Sequence, residues 1–547
     1  MLNKKGLFFG LIFSALCVIL LNFGCANRQL PQGGPRDHDP PKLLKATPEN
    51  MTRHFKDKVI QLDFDEYFRL TNAYTEISMS PTPAKLPEYK AKGKSLIVTL
   101  KDTLEKNTTY VINFGKAIAD VNENNVLKNF TYVFSTGEHI DSLSVSGQVI
   151  NSLTQQREKD VTVMLFTLKQ DSLLFGKKKP TVFATTDSAG HFSLNNLHPD
   201  DYRIYALKES APNKIYDNDA ELIGFSTKPI HLEKDSDNIK LTLFKQTPTK
   251  FRLVDRRFDS DGKLFFTFNR KLDNPSVKIS YPPDFDKYKV TDISKTHDTL
   301  TMFMRNMDFD SLRMSFYDNN KPLDTIYMKK QRKESFTRYM TVSYNISADG
   351  KLRPRTNLII KSNYPVENFD QSLITLKEDS AEVSNFTVQK DTADLRKLTV
   401  NYRWKQNSNY ILTLENSSIT DMYGDKLKKT FKRFTIDKPE NYSLLTLAMT
   451  VPDTGKSYIV ELYNEQKQLM RSDVIHSNTS LVYKDYYTGK YTVHVVYDAN
   501  KNGKWDSGNV KQKIQPENIW VNDTPITLRA NWEQVTPITV PREPFTP

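Results

Sequence analysis

Asn107-Thr-Thr-Tyr110-Val-Ile-Asn-Phe114 decides the reading of this chain, because it is written twice. Three hundred positions on stands Asn407-Ser-Asn-Tyr410-Ile-Leu-Thr-Leu414. In each, a turn-forming asparagine precedes a short run in which every second residue is apolar, the pattern of a strand with one buried face. Outward from the first copy lie Val59-Ile-Gln-Leu-Asp-Phe64, Ser95-Leu-Ile-Val-Thr-Leu100 and Phe130-Thr-Tyr-Val-Phe-Ser-Thr136. Polar turns separate them and no amphipathic helix intervenes. Short strands at this spacing predict a two-sheet sandwich over 42–137.

This stretch resembles the bacterial Ig-like domain first described in S-layer proteins. The likeness is carried by Asp39-Pro40-Pro41, Thr47-Pro48, the strand ending Phe64-Asp65, Leu104-x-x-Asn107-Thr-x-Tyr110, Ile118-x-Asp120 and Phe134-Ser135-Thr136. Residues 141–245 follow a second pattern. Ser146-Gly147 opens a strand, Val161–Phe166 runs apolar, and Thr186-Asp-Ser-Ala-Gly190-His-Phe192 leads to Leu197 and Tyr202-Arg-Ile204. This resembles the transthyretin-like sandwich of carboxypeptidase regulatory domains, which serves most of its relatives as a spacer or prop.

Both patterns return in the same order. Asn407, Tyr410, Asp421 and Phe434 follow their counterparts by 300 or 301 positions, giving a second Ig-like domain over 336–438. Leu481, Tyr486 and Tyr491 follow Phe192, Leu197 and Tyr202 by 289, giving a second transthyretin-like sandwich over 439–535. A two-domain unit has been repeated. Between the copies, 248–335 holds Lys263-Leu264-Phe-Phe266-Thr-Phe268, Asp298–Phe303 and Leu312–Phe316, read as a divergent Ig-like domain. The last stretch, 536–547, is rich in proline and is expected to be a loose tail. The fold class is all-β, a tandem array of Ig-like and transthyretin-like sandwiches.

The amino terminus carries an address. Lys4-Lys5 precede an apolar run from Leu7 to Leu21, then Asn22-Phe23-Gly24-Cys25. The run is shorter than the ~20 residues of a membrane span and has the layout of a signal peptide. It resembles a Bacteroidetes-type lipoprotein signal, departing from the usual pattern at Asn22. The resemblance implies cleavage after residue 24 and acylation of Cys25, with palmitate-class chains as the anchor. Residues 25–41 then form a Pro- and Gly-rich tether. Ala26 and Asn27 follow the cysteine with no acidic residue. This implies the outer membrane as destination and favours its periplasmic face over the cell surface.

Cys17 and Cys25 are the only cysteines of the 547 residues. With one discarded and one lipidated, the mature chain has no disulfide, thiol nucleophile or cysteine-bound metal. The net charge of +12 is interspersed and reads as a solvated surface, with attraction to acidic glycans or lipid head groups as the alternative. An exported protein is not expected to meet nucleic acid.

One motif carries chemistry. Asp498-Ala-Asn500-Lys-Asn502-Gly503-Lys504-Trp505-Asp506 spaces oxygen-bearing side chains at alternate positions around a glycine bend, as calcium loops do. The candidate ligands are Asp498, Asn500, Asn502, the Lys504 carbonyl and Asp506. Asn509 stands where such loops carry a bidentate glutamate, so any affinity is weak. At the repeat offset the earlier copy has Glu209, Ala211, Asn213, Lys214 and Asp217, so the same shape without metal, a hydrogen-bonded turn, is the competing reading. No other cofactor is indicated. Histidines are scattered, and no nucleophile elbow or phosphate loop occurs. Asp65-Glu66 is an acid pair, but adjacent strand residues face opposite ways.

The expected function is therefore non-enzymatic: an outer-membrane lipoprotein acting as a binding or scaffolding subunit, with an envelope protein as partner and no small-molecule substrate. The alternatives are a surface adhesin or glycan binder, and a hydrolase carried on β-sandwich stalks.

Overall fold

The computed structural model describes residues 36–176, 179–210, 213–218, 220–330 and 336–544. The signal peptide, Cys25 and most of the tether lie outside the described residues. Among those described, no helix is long and apolar enough to cross a membrane. The chain divides into two compact units, Met1–Asp141 and Ser142–Pro547.

In the first unit, Leu43–Thr47, Val59–Phe64, Ser95–Thr99 and Glu88–Lys92 form one antiparallel sheet in that spatial order. Facing it are Thr131–Ser135, Thr109–Asn113 and Ser78–Ser80. The alternation seen in the sequence supplies the core. Ile60, Leu62 and Phe64 from one sheet meet Tyr110, Ile112 and Phe114 from the other. Tyr110 stacks on Phe134 with centroids 5.4 Å apart, and its hydroxyl accepts the backbone N–H of Glu105 at 2.9 Å. That reach pins the corner of the sandwich, as tyrosine corners do.

The second unit repeats this strand order twice. Leu253–Phe258, Leu264–Phe268, Thr299–Met304 and Lys289–Ile293 make a four-stranded sheet opposite Pro275–Tyr281, Ser311–Asp318 and Lys321–Lys329. Val342–Tyr344, Leu358–Ser362, Lys397–Asn401 and Thr387–Lys390 make another, opposite Thr430–Ile436, Asn409–Leu414 and Ile374–Glu378. The middle stretch thus has the topology of its neighbours. Its core is built from Phe266, Phe268, Met302, Met304, Met314 and Phe316, with no tyrosine at the corner. Methionine adapts to irregular gaps, so the fold persists while the motif fades. In the last Ig-like sandwich the corner returns: the Tyr410 hydroxyl accepts Lys405 N–H at 2.7 Å.

The two transthyretin-like sandwiches also share one plan. In the first, Leu143–Asn151 runs antiparallel to His191–Leu197 and parallel to Ser236–Lys245. Gly147 lies so close to the parallel neighbour that a Cβ would stand 1.9 Å from the Ile239 carbonyl oxygen. In the second, Tyr442–Thr450 runs antiparallel to Thr479–Tyr487 and parallel to Glu533–Thr539. Tyr202 donates its hydroxyl to the His198 carbonyl, and Tyr491 to that of Tyr487, each at 2.9 Å. These two corners stand 289 positions apart, like the sequence motif.

The expected loose tail over 536–547 is corrected in its first part. The strand Glu533–Thr539 extends past residue 535, and Ile538 and Val540 are buried in the final core. Alternating apolar residues outweigh Pro537, which sits on an edge strand where a missing N–H is tolerated.

Candidate functional site

The strand Gly489–Asp498 delivers Asp498, almost fully buried, to the start of the loop singled out above. Asp498 accepts the Ser457 hydroxyl at 2.7 Å and the backbone N–H groups of Asn502 and Gly503 at 3.0 and 3.1 Å. Burial pushes its carboxyl up, but these hydrogen bonds outweigh it and hold the group below the usual carboxylate range. Asn500 Oδ1 accepts Asn502 N–H, and Asn502 Oδ1 accepts Lys504 N–H. The side-chain amides of Asn500 and Asn502 both donate to Asp506. Gly503 takes a left-handed φ of 72° to close the bend.

The structure therefore gathers Asp498, Asn500, Asn502 and Asp506 in one loop, with their oxygens engaged by donors of the loop and, at Asp498, by Ser457 as well. Lys504 sends its ammonium to Asp273 of the middle Ig-like sandwich. Sequence reading missed Glu517. It bridges the loop from outside, accepting Ala499 N–H at 2.8 Å and Asp506 N–H at 3.0 Å. Burial, reinforced by Asp506 and Asp498, pushes its carboxyl up despite those bonds. Among the described residues, no three His, Cys, Asp or Glu side chains converge closely enough to hold a metal.

The earlier copy is wired in the same way. Glu209 accepts Asn213 and Lys214 N–H, both at 2.7 Å, as Asp498 accepts Asn502 and Gly503. Asn213 donates its amide to Asp217 as Asn502 does to Asp506, and accepts Ile215 N–H as Asn502 accepts Lys504. Buried Glu221 receives Asp217 N–H at 3.4 Å, the place taken by Glu517 in the later copy. Lys214 adopts a left-handed φ of 61°, where Gly503 has 72°. The described residues of the earlier loop thus keep these hydrogen bonds with Glu209 in place of Asp498 and Lys214 in place of Gly503.

What the later loop adds is reach. Beyond Asp506 it enters the first transthyretin-like sandwich, 260 positions earlier. Val510 is fully buried there among Met164, Phe166, Phe183, Tyr205, Phe225 and Phe244. Its N–H donates to Gln246 Oε1 at 2.8 Å, and Ser507 exchanges hydrogen bonds with Thr247. Lys513 lies 4.5 Å over the Tyr205 ring and donates to its hydroxyl, which in turn donates to Asp171. Gln515 donates to the Phe225 carbonyl at 2.7 Å. At Gly508 a Cβ would lie 2.6 Å from the Phe244 ring, so only glycine permits the approach.

Other modules of this unit are also bonded across their junctions. Arg396 pairs with Asp292, and Tyr364 donates to Asp261 at 3.1 Å, joining the middle and last Ig-like sandwiches. Arg355 binds Asp485, joining the last Ig-like sandwich to the last transthyretin-like one.

Comparison with known proteins identifies the first sandwich. Residues 37–136 match the family model of the bacterial Ig-like domain. No curated protein matches the chain. Among solved structures, the Bacillus anthracis TIE protein is 11% identical, with 93% of this chain and 75% of that one covered and a TM-score of 0.13. The major pilin subunit of Bacillus cereus is 10% identical over 73% of this chain and 99% of its own, with a TM-score of 0.13. A protein of the Bacteroides ovatus mixed-linkage glucan utilization locus, solved with a heptasaccharide, is 10% identical over 64% and 88%, with a TM-score of 0.18.

Proposed function

We propose that this protein is a non-enzymatic lipoprotein of the outer membrane, anchored through Cys25 on the periplasmic face and serving as a binding or scaffolding subunit for an envelope protein. The observation that carries the reading is the interlocking of the unit 142–547. Its most elaborate loop, the one with chemistry in its sequence, is spent on holding modules together. A scaffold needs fixed distances between its faces, and a loop that fills a neighbour's core supplies them. The Ig-like match at 37–136 fits a surface or binding role. The apolar run before Cys25 has the layout of a cleaved signal, and acyl chains on Cys25 would be the anchor.

The test is detergent-phase partitioning of the tagged full chain and its Cys25→Ala variant from solubilised membranes, followed by mass spectrometry of co-purified proteins. The wild type is expected in the detergent phase with a stoichiometric membrane-protein partner. Equal partitioning of both forms would remove the anchor. Recovery of the wild type alone would remove the scaffolding role.

A further inference from the structure

A cleft of about 440 Å³ opens on the last Ig-like sandwich, lined among others by Arg353, Arg355, Asn357, Tyr402, Trp404 and Gln406. Its size falls within the range of small-ligand sites. We infer that this cleft binds an acidic saccharide, one pyranose lying on the aromatic wall with its carboxylate on the arginines.

The aromatic wall is fixed in place. Trp404 stands edge-on to Tyr402, Tyr410 and Phe434, with centroids 5.1, 5.1 and 5.4 Å away. Its Nε1–H is buried without an acceptor, so it offers a ligand no hydrogen bond, and the indole lines the cleft as an apolar group. Tyr402 is held from below, its hydroxyl donating to Glu378 at 2.8 Å. Rings held this rigidly suit the apolar face of a sugar, because little freedom is lost on binding.

The charge at the mouth is positive with donors to spare. Arg355 engages Asp485 through Nε and Nη2, leaving Nη1 for a ligand. Arg353 spends Nη2 on the carbonyls of Lys484 and Asp485. The acids nearby are already committed. Burial raises the Glu378 carboxyl, but hydrogen bonds from Tyr402, Lys405, Ser408 and Tyr410 overcome it and bring it down to about 2. Asp437 accepts from Tyr442 at 2.9 Å and Asn441 at 2.7 Å. A carboxylate entering the cleft meets unspent guanidinium donors, which match its geometry.

The first Ig-like sandwich serves as an internal control. There Ser135 N–H donates to the Thr52 carbonyl, and Ile60, eight positions on, pairs with Val98. Here Thr435 N–H donates to the Gly350 carbonyl, and Leu358, again eight positions on, pairs with Val400. The two turns are equal in length, but where Arg353 and Arg355 stand the first copy has Phe55 and Asp57. Two positions past the paired valine it has Leu100 for Tyr402, and one position before the residue bonded to the corner tyrosine it has Leu104 for Trp404. The arginines and the aromatic pair depart together from a scaffold that is otherwise repeated.

The experiment is calorimetric titration of the full chain in detergent with tetragalacturonic acid, with cellotetraose and inorganic phosphate as comparators. The acidic tetrasaccharide is expected to bind, with at least tenfold weakening in Arg355→Gln and in Gln406→Trp, which fills the cleft from an exposed position without touching the Asp485 pair. Cellotetraose is expected to bind at least tenfold more weakly. No heat with the tetragalacturonate, or affinity unchanged in Gln406→Trp, would overturn the site. Displacement by phosphate at equal concentration would overturn the saccharide and leave a simple anion site.

Discussion

Replacing Val510 by alanine should unlatch the loop that joins the two transthyretin-like sandwiches, and the size of the effect can be worked out. The side chain is fully buried in a cluster made almost wholly by the other module. Losing two methyl groups forfeits about 1.6 kcal/mol at ~0.8 kcal/mol per buried carbon. A residual void of roughly 40 Å³ adds about 1 kcal/mol at ~24 cal/mol per Å³. The total of about 2.5 kcal/mol corresponds to a local opening equilibrium shifted roughly 60-fold. Hydrogen exchange reads it directly. The amides of Val510, Ile514 and Glu517 are bonded to Gln246, Asn509 and Asp506, so their exchange should accelerate roughly 30- to 100-fold in Val510→Ala. Val535→Ala, at a position 68% exposed, should leave them unchanged. Acceleration under about threefold would refute the view that Val510 holds the loop in place.

Tyr410→Phe should destabilise the chain by about 1–3 kcal/mol in urea unfolding, because Lys405 N–H loses its acceptor inside the corner; an unchanged midpoint would deny the corner its role. Asp498 is held below its ordinary pKa, so its stabilisation is complete above the unfolded carboxylate range and is lost as pH falls through the folded value. Asp498→Asn should accordingly flatten the acid limb of the stability profile below about pH 4, and an identical limb would exclude this carboxylate. Millimolar calcium against chelator should move the melting midpoint by under ~1 °C, since the loop's donors already occupy Asp498 and Asp506; a rise of several degrees would assign the loop to a cation. Gly508→Ala should behave like Val510→Ala in exchange, as the added carbon meets the Phe244 ring; protection equal to wild type would show that the junction yields.

The sandwiches were legible because they are local. Ile60, Leu62 and Phe64 alternate, Tyr110 and Tyr410 mark their corners, and period and punctuation sit within a few residues of each other. The middle sandwich was fainter because Met302, Met304 and Met314 fill its core without a motif. Four prolines after residue 536 argued for looseness, but Ile538 and Val540 decide the matter by burial. Glu517 could not be found from loop spacing, since it returns from beyond a second turn. Nor could Val510 and Lys513, whose partners Phe244, Tyr205 and Asp171 lie more than 260 positions away. The aromatic and arginine lining of the cleft was in plain sight as letters; what the letters lacked was the turn that brings 353–357 beside 402–406.

The docked loop has a consequence for the order in which the molecule is made. A chain leaves the ribosome, or a translocation pore, amino terminus first. The sandwich that begins at Leu143 is then complete in its own strands by Lys245, yet Met164, Phe166 and Phe225 wait for Val510 before that face is closed. Until residue 510 has emerged, this module presents an open apolar face. Contacts of such long span are slow to form and leave early segments prone to sticking. A chain truncated before residue 510 should therefore keep this apolar face open.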